Sequence, residues 1–442
     1  MKSRFKKPCL VDDRGALTPL MLVLLVGILV SSGIALDLIR QESERSDLQD
    51  ALDRGVLAAA SLTQTIDAQT TLAGYLANRS IAANDLSVAI EVDDSGNSRR
   101  VIAKAEYRMD TMFFRMVGLP QLPVIAVSSA VQRQQPVELS LVLDISGTMR
   151  WNNRLVNLQP AAVSFVDAVT SDSVDGLTTI NLVPYAGQVN PGPEVFRMIG
   201  GRRDHDFSSC PEFEDADFDD SRVPNGRAYD QVPNFHHWRI DRDWMDWGWC
   251  PDDATAIRYL STDPDVLRSA INGIRLHDGT GTYNAMKWAL TLLDPRSQGF
   301  VSELVTTGIV PREVDGRPAP WDSGETLKII VLMTDGQITR QLRPKNPKDP
   351  KLRTQEVDVY KHPYEESLSR RKGLGFFYNL CDLAKENGVT VFTIAFEAPR
   401  AAREEMQNCA SSAGHFFDVD GLEIGDAFSA IASTISKLKL VE

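Results

Sequence analysis

The sequence predicts an α/β fold: a doubly wound, mostly parallel sheet, preceded by a transmembrane helix and a small α+β region. Three observations predict it. From Val137 onward, near-continuous apolar strands alternate with helical patterns, as they do when a parallel sheet is covered on both faces. A charge-free run stands close to the N-terminus, from Ala16 to Leu36. Between these two regions, short strands of alternating polarity flank the turn "SGNS". The chain has 442 residues, 43% hydrophobic and 24% charged, enough to bury one large core or two smaller ones. Its net charge of −13, with no stripe of Lys and Arg, excludes a non-specific nucleic-acid binder. Partners are therefore expected among proteins, cations and envelope polymers.

Residues 1–15 form a basic tail carrying Lys2, Arg4, Lys6, Lys7 and Arg14. The run 16–36, "ALTPLMLVLLVGILVSSGIAL", matches the roughly 20 residues a helix needs to cross the hydrocarbon core. Basic residues precede it and Asp37 follows, which places the N-terminus in the cytoplasm and the remainder outside. Gly33-Ile34-Ala35 is the small-x-small pattern of a cleavable signal peptide, yet the apolar run exceeds the roughly 7 to 15 residues of such a peptide. A single-pass anchor is the expectation.

Residues 37–135 are expected to hold an exported helix and the small α+β region. Leu48, Leu52, Val56 and Ala59 recur at helical spacing; this stripe either packs on its own domain or meets a partner. "LSVAIEVDD", "RRVIAKAEYRM" and "LPVIAVSSAVQ" supply three strands.

Residues 136–442 carry the alternating pattern. Strands are expected at "VELSLVLD", "TTINLVPYAG", "LKIIVLMTDG", "VTVFTIAFEA" and "HFFDV", with helices at "TYNAMKWALTLL" and "FFYNLCDLAKENG". Pro160 either starts or kinks the first helix. Phe428, Ile431, Ile435 and Leu438 give the last helix an apolar face.

Segments near 191–262, 296–324 and 338–368 break the alternation and read as insertions. The first holds four of the seven tryptophans and the acidic run "CPEFEDADFDD". That run lacks the glycine and terminal glutamate of a calcium loop, so a solvated face is expected. Cys210, Cys250, Cys381 and Cys409 make an even set in the exported part, where disulfides persist. Of the three possible connectivities, Cys210 with Cys250 and Cys381 with Cys409 is favoured. His236 and His237 lie near the first pair in sequence, but the spacing fits no zinc pattern.

The chemistry concentrates where "LSLVLDISGTM" ends a buried strand in oxygens. In open parallel sheets ligands bind beyond the carboxyl ends of the strands. Asp144, Ser146 and Thr148 stand at i, i+2 and i+4 there, and two further loops add Thr282 in "DGTGTYNA" and Asp335 in "VLMTDG". Carboxylates and hydroxyls together suit a small hard cation such as Mg2+. These three motifs, in this order, resemble the metal-ion-dependent adhesion site of von Willebrand factor type A domains. The resemblance, over about 137–442, implies a von Willebrand factor A / Rossmann-like fold binding Mg2+ or Mn2+. Ser146, Thr148 and Thr282 would ligate directly or nearly so, and Asp144 and Asp335 directly or through water. One coordination position would remain for an acidic group of a protein partner. Thr148 stands where the family usually has Ser.

The leader, "RGALTPLMLVLLVG" followed by "ALDLIRQESERSDLQDALDRGVLAAA", is similar to that of TadE/TadG-like proteins of tight-adherence (Flp) pilus assembly. TadG members join such a leader to an exported von Willebrand-type domain. This implies a protein of the bacterial inner membrane with a periplasmic or extracellular C-terminal domain. Related pseudopilins have a glutamate where this chain has Leu20, so pilin-type processing is not expected. Together these readings give a membrane-anchored pilus-assembly or adhesion protein with no catalytic group. Two alternatives stand beside it. "LVLDISGT" also resembles the first motif of haloacid dehalogenase-type phosphohydrolases, with Asp144 as nucleophile. A von Willebrand-type adhesin unrelated to pili is the other.

Overall fold

The computed structural model describes residues 17–77, 86–171, 176–224, 227–235, 245–246, 248–350 and 364–441. The basic tail with Cys9, His236, His237, Trp238, Trp244, Trp247 and part of the 338–368 segment lie outside the described residues. Two compact units divide the chain, one up to Arg133 and one from Gln134.

The first unit opens with α1 (Leu17–Ala59), a 43-residue helix. Its first half exposes Leu20, Met21, Leu22, Val23, Leu24 and Leu25, and it is the only helix among the described residues long and apolar enough to span a bilayer. Its second half buries Leu48, Leu52, Val56 and Ala59 completely. They pack against α2 (Ala68–Leu76) and the inner face of a hairpin. β1 (Ser87–Asp94), β2 (Ser98–Asp110) and β3 (Gln121–Gln134) run antiparallel in that order. On β2, Val101, Ala103 and Ala105 point inward with the period of two that a half-buried strand requires. Of the two readings of the helical stripe, packing on its own domain is the one observed.

The second unit has β4 (Val137–Asp144), α3 (Arg154–Ser171), β5 (Thr178–Tyr185), α4 (Pro193–Met198), β6 (Gly201–Arg202), β7 (Tyr229–Asp230), β8 (Arg258–Ser261), α5 (Pro264–Asn272), α6 (Thr282–Thr291) and α7 (Gln298–Thr306). It continues with β9 (Leu327–Thr334), β10 (Gln341–Pro344), β11 (Tyr364–Leu368), α8 (Arg370–Glu386), β12 (Thr390–Phe396), α9 (Arg400–Cys409), β13 (Phe416–Val419) and α10 (Glu423–Lys439). Its main sheet has the order β13-β12-β9-β4-β5-β8, parallel except for the edge strand β8.

All of β4 is buried. Leu139, Leu141 and Leu143 join the core under α3 and α10, where the Phe165 and Phe428 rings lie 5.3 Å apart. Ser140 and Val142 turn the other way, and Ser140 donates a hydrogen bond of 2.9 Å to the Ala289 carbonyl on α6. With helices on both faces there is no polar side for the strand to show, which is why it reads as a continuous apolar run.

α3 begins at Arg154, six residues ahead of Pro160, and passes through the proline. Both favoured disulfides form, Cys210–Cys250 with Cα atoms 5.8 Å apart and Cys381–Cys409 with 5.2 Å. The 191–262 segment is more than an appendage, because its last residues are β8, the sheet edge beside β5. Phe235 and Trp249 stack at 6.0 Å and bury Leu342 with them, a small local core. The acidic run is solvated only in part: Glu214, Asp215 and Asp219 are exposed, while others of its acids are engaged. Asp217 is buried and accepts from the Tyr229 hydroxyl at 2.8 Å and from Arg227 at 3.1 Å. Glu212 pairs with Arg343 and Asp215 with Lys372. The run clamps the insertion onto α8 and β10, a role invisible to composition because Arg343 and Lys372 are 131 and 157 residues from their acids.

Candidate metal centre

Because side chains alternate along a strand, the parity that sends Ser140 and Val142 toward α6 also sends Asp144 there, at the carboxyl end of β4. Asp144 is completely buried. Its Oδ1 accepts from the Ser146 amide at 2.7 Å and its Oδ2 from the Thr334 hydroxyl at 2.6 Å. This turns the chain so that the next two hydroxyls meet, with Ser146 Oγ and Thr148 Oγ1 3.0 Å apart.

Asp335 follows β9, the strand next to β4. Its Oδ1 accepts from Thr148 Oγ1 at 2.8 Å and from Ser146 Oγ at 3.4 Å. Ser146 and Asp335 are each 2% exposed, whereas Thr148 is exposed at the mouth.

The third loop is fastened on both sides. Gly281 donates to the Ala186 carbonyl at 2.7 Å, and Thr339 donates to the Thr280 carbonyl at 2.9 Å. Glycine is required at 281, since a Cβ there would stand 2.2 Å from the Gly187 carbonyl oxygen. Thr282 opens α6 and reaches the group through a neighbour: its Oγ1 lies 3.4 Å from the Tyr185 hydroxyl, which lies 3.4 Å from the Met333 carbonyl. The structure thus brings the Ser146, Thr148 and Asp335 side chains together, ties Asp144 to them through the Ser146 amide, and pairs Thr282 with Tyr185 rather than with any of the four.

Burial, and then the negative charge of Asp335, push the Asp144 carboxyl up to about 7. Burial also raises Asp335, against the opposing pull of Thr148 and Arg154. Burial and the Asp144 charge drive the Tyr185 hydroxyl well above its ordinary value, so it stays a neutral donor. Two acids crowded in a dry pocket and ringed by hydroxyls favour a positive charge among them.

Part of that charge is internal. Arg154 Nη1 donates to Asp335 Oδ2 at 2.6 Å, while its Nε donates to Glu397 Oε2 at 3.0 Å. Asn152 Nδ2 donates to the same Glu397 oxygen at 2.8 Å. The turn that aims Arg154 back at the site uses Asn152 and Asn153 with φ of 52° and 59°, a region asparagine enters more readily than most residues. Sequence reasoning misses Arg154, Glu397, Thr334 and Tyr185. Only Thr334 carries a local signal, as the neighbour of Asp335 in "VLMTDG".

The donor set fits a hard divalent cation. It is all oxygen, it includes two carboxylates, and three of its oxygens converge within hydrogen-bond distance. A second grouping, Asp246, Asp252 and His277, is engaged internally: Arg275 grips Asp246, and Asp252 caps Thr255 at 2.9 Å. Beside the first site, Trp249, Asp278, Gly279, Gln337, Ile338 and Thr339 line a groove of about 370 Å³.

Residues 15–62 match the model of the Flp pilus-assembly TadE/G-like family. No curated protein matches the chain significantly. Among solved structures, the pilus adhesin SpaC from Lactobacillus rhamnosus GG is similar at 12% identity and a TM-score of 0.37, over 80% of this chain and 35% of SpaC. The vWF domain of the type V pili tip protein Mfa5 from Porphyromonas gingivalis gives 14% and 0.37, over 70% of this chain and 98% of that domain. The pilus adhesin RrgA from Streptococcus pneumoniae gives 12% and 0.33, over 79% and 49%. This chain therefore spans about a third of SpaC. Such distant likenesses carry no weight for function.

Proposed function

We propose that this is a membrane-anchored pilus-assembly or adhesion protein of the tight-adherence (Flp) type, whose second unit is a von Willebrand factor A-like domain that binds a protein partner through Mg2+ or Mn2+. The observation that carries the reading is the meeting of Ser146, Thr148 and Asp335 oxygens within 3.4 Å of one another, just past the buried Asp144, at the carboxyl ends of two adjacent parallel strands. The TadE/G-like match at residues 15–62 supports the pilus-assembly part. The exposed apolar half of α1 supports a single pass through the inner membrane, with the second unit periplasmic or extracellular.

Ser146, Thr148 and Asp335 would hold the cation, with the buried Asp144, tied to Ser146 through its amide, adding negative charge and Thr282 as a further candidate ligand. A bound divalent ion would offer its open coordination position to a carboxylate of the partner. Thr148, exposed, marks the side from which that carboxylate enters, and the groove edged by the exposed Gln337 and Arg340 gives the partner a surface. Thr334 and the Ser146 amide fix both oxygens of Asp144, so the second layer cannot swing away.

The phosphohydrolase alternative needs a titratable acid two residues after the nucleophile, and this chain has Ser146, a poor proton donor. Detergent-solubilised full-length protein, immobilised and exposed to envelope extract, is expected to retain a partner in magnesium and release it in EDTA. Asp144→Ala should weaken retention about tenfold or more, equivalent to roughly 1.4 kcal/mol. Retention indifferent to both EDTA and the substitution would exclude metal-mediated binding. Phosphate-ester turnover lost in Asp144→Ala would favour the enzyme.

A further inference from the structure

The loop between β2 and β3 is fixed to α1 at the end of its apolar half. The loop Thr111–Pro120 is closed on itself: Thr111 N donates to the Pro120 carbonyl at 2.9 Å and Thr111 Oγ1 to the Leu119 carbonyl at 2.7 Å. It is also clamped to α1. The amides of Met112, Phe113 and Phe114 donate to the fully buried Asp37 carboxylate at 3.1, 2.7 and 2.8 Å. One turn earlier the Phe113 ring lies on the bare backbone of Gly33, where a Cβ would come within 2.4 Å of it.

Asp37 is the first charged residue after the run 16–36, so the clamp sits where the helix leaves the hydrocarbon. Gly33 lies about 6 Å further in, at 1.5 Å per residue. At this level the loop turns its large apolar side chains outward. Met112 is 66% exposed, Met116 71%, Val117 53% and Leu119 50%. Leu36, Leu38 and Ile39 are exposed on the neighbouring helix turn. Arg115 is exposed among them, with a stem long enough to lie along lipid and a head able to reach phosphate. Four large apolar side chains in so short a loop, held rigidly beside a membrane exit, have lipid as the solvent continuous with the helix.

We infer that the loop 111–120 is an interfacial foot: Met112, Met116, Val117 and Leu119 insert into the outer-leaflet interface and fix the tilt and rotation of the first unit on the membrane. The inference rests on the reading of α1 as a membrane span. It requires no partner protein.

The test uses full-length protein with Cys9→Ser, the other four cysteines being paired. It is reconstituted into phosphatidylethanolamine–phosphatidylglycerol vesicles whose acyl chains are brominated both near the headgroup and near the chain end, since Leu25 lies about 18 Å inside the exit at Asp37. A fluorophore is placed singly at Met116→Cys, at Leu25→Cys within the span, and at Ser95→Cys in the β1–β2 turn. Brominated lipid is expected to remove about half or more of the emission at 116 and 25 and to leave 95 unchanged, as insertion to roughly 5–10 Å requires. Quenching at 25 without quenching at 116 overturns the foot and leaves the anchor standing, whether 116 is open to aqueous iodide (a solvated loop) or shielded from it (a protein-covered loop). Absence of quenching at 25 overturns the span and the foot together.

Discussion

Replacing Cys381 and Cys409 together by alanine is expected to cost the second unit about 3.5 kcal/mol. The cysteines lie on α8 and at the end of α9, on either side of β12 in the chain, and are both fully buried. Their bridge closes a loop across a separation of 28 residues. In the chain-entropy model, closing a loop of that size removes about 3.5 kcal/mol of freedom from the unfolded chain. Urea unfolding of wild type and the double variant reads the difference directly as a lower midpoint. A midpoint unchanged within error would mean that the bridge does not restrain the unfolded chain, and peptide mapping would then be expected to find free thiols.

Arg154→Ala should cost nearly as much in metal-free protein, about 3 kcal/mol, because it leaves a buried carboxylate without its cation. The Asp335 side chain is fully buried, and Arg154 is its ion-pair partner at 2.6 Å with only 14% of its own side chain exposed. A divalent ion at Ser146, Thr148 and Asp335 supplies the same compensation. Magnesium should therefore raise the melting temperature of Arg154→Ala more than that of wild type, and the deficit seen in EDTA should narrow. An equal magnesium response in the two proteins would separate Arg154 from the site. Glu397 is the control residue: it holds Arg154 from the far side, and Glu397→Gln should give a smaller effect of the same sign.

The parts of this architecture that are legible in sequence are those set by local rules. β4, β5, β9 and β12 announce themselves as apolar runs because both faces of the sheet are covered, and the hydroxyls after Asp144 meet because the chain turns into a 3-10 helix at Gly147, with Ser146 at its N-cap and Thr148 in its first turn. Thr282 and Asp335 are placed by the same logic, each at a strand end or helix start. What sequence does not show depends on distant contacts. Arg154 reaches Asp335 only because two consecutive asparagines adopt left-handed backbone. Glu397 meets it from the end of a different strand. The edge strand β8 is four residues long, antiparallel and embedded in a segment rich in Pro and Asp, so it gives no periodic signal. The acidic run near Asp217 is solvated at Glu214, Asp215 and Asp219 as its composition suggests, but its ion pairs are not legible, because its lysine and arginine partners lie on α8 and β10.

The most direct test of the central claim is a magnesium titration of EDTA-stripped full-length protein, wild type beside Asp144→Ala, followed by the melting of the second unit. At about 100 times its dissociation constant, magnesium should stabilise wild type by roughly 2.7 kcal/mol, reversibly on adding EDTA. Asp144→Ala should fold, since it removes a buried carboxyl that is already pushed up to about 7, and should show no magnesium response. No stabilisation of wild type by magnesium or manganese at millimolar concentration, or an equal stabilisation of Asp144→Ala, would contradict a cation site at the end of β4.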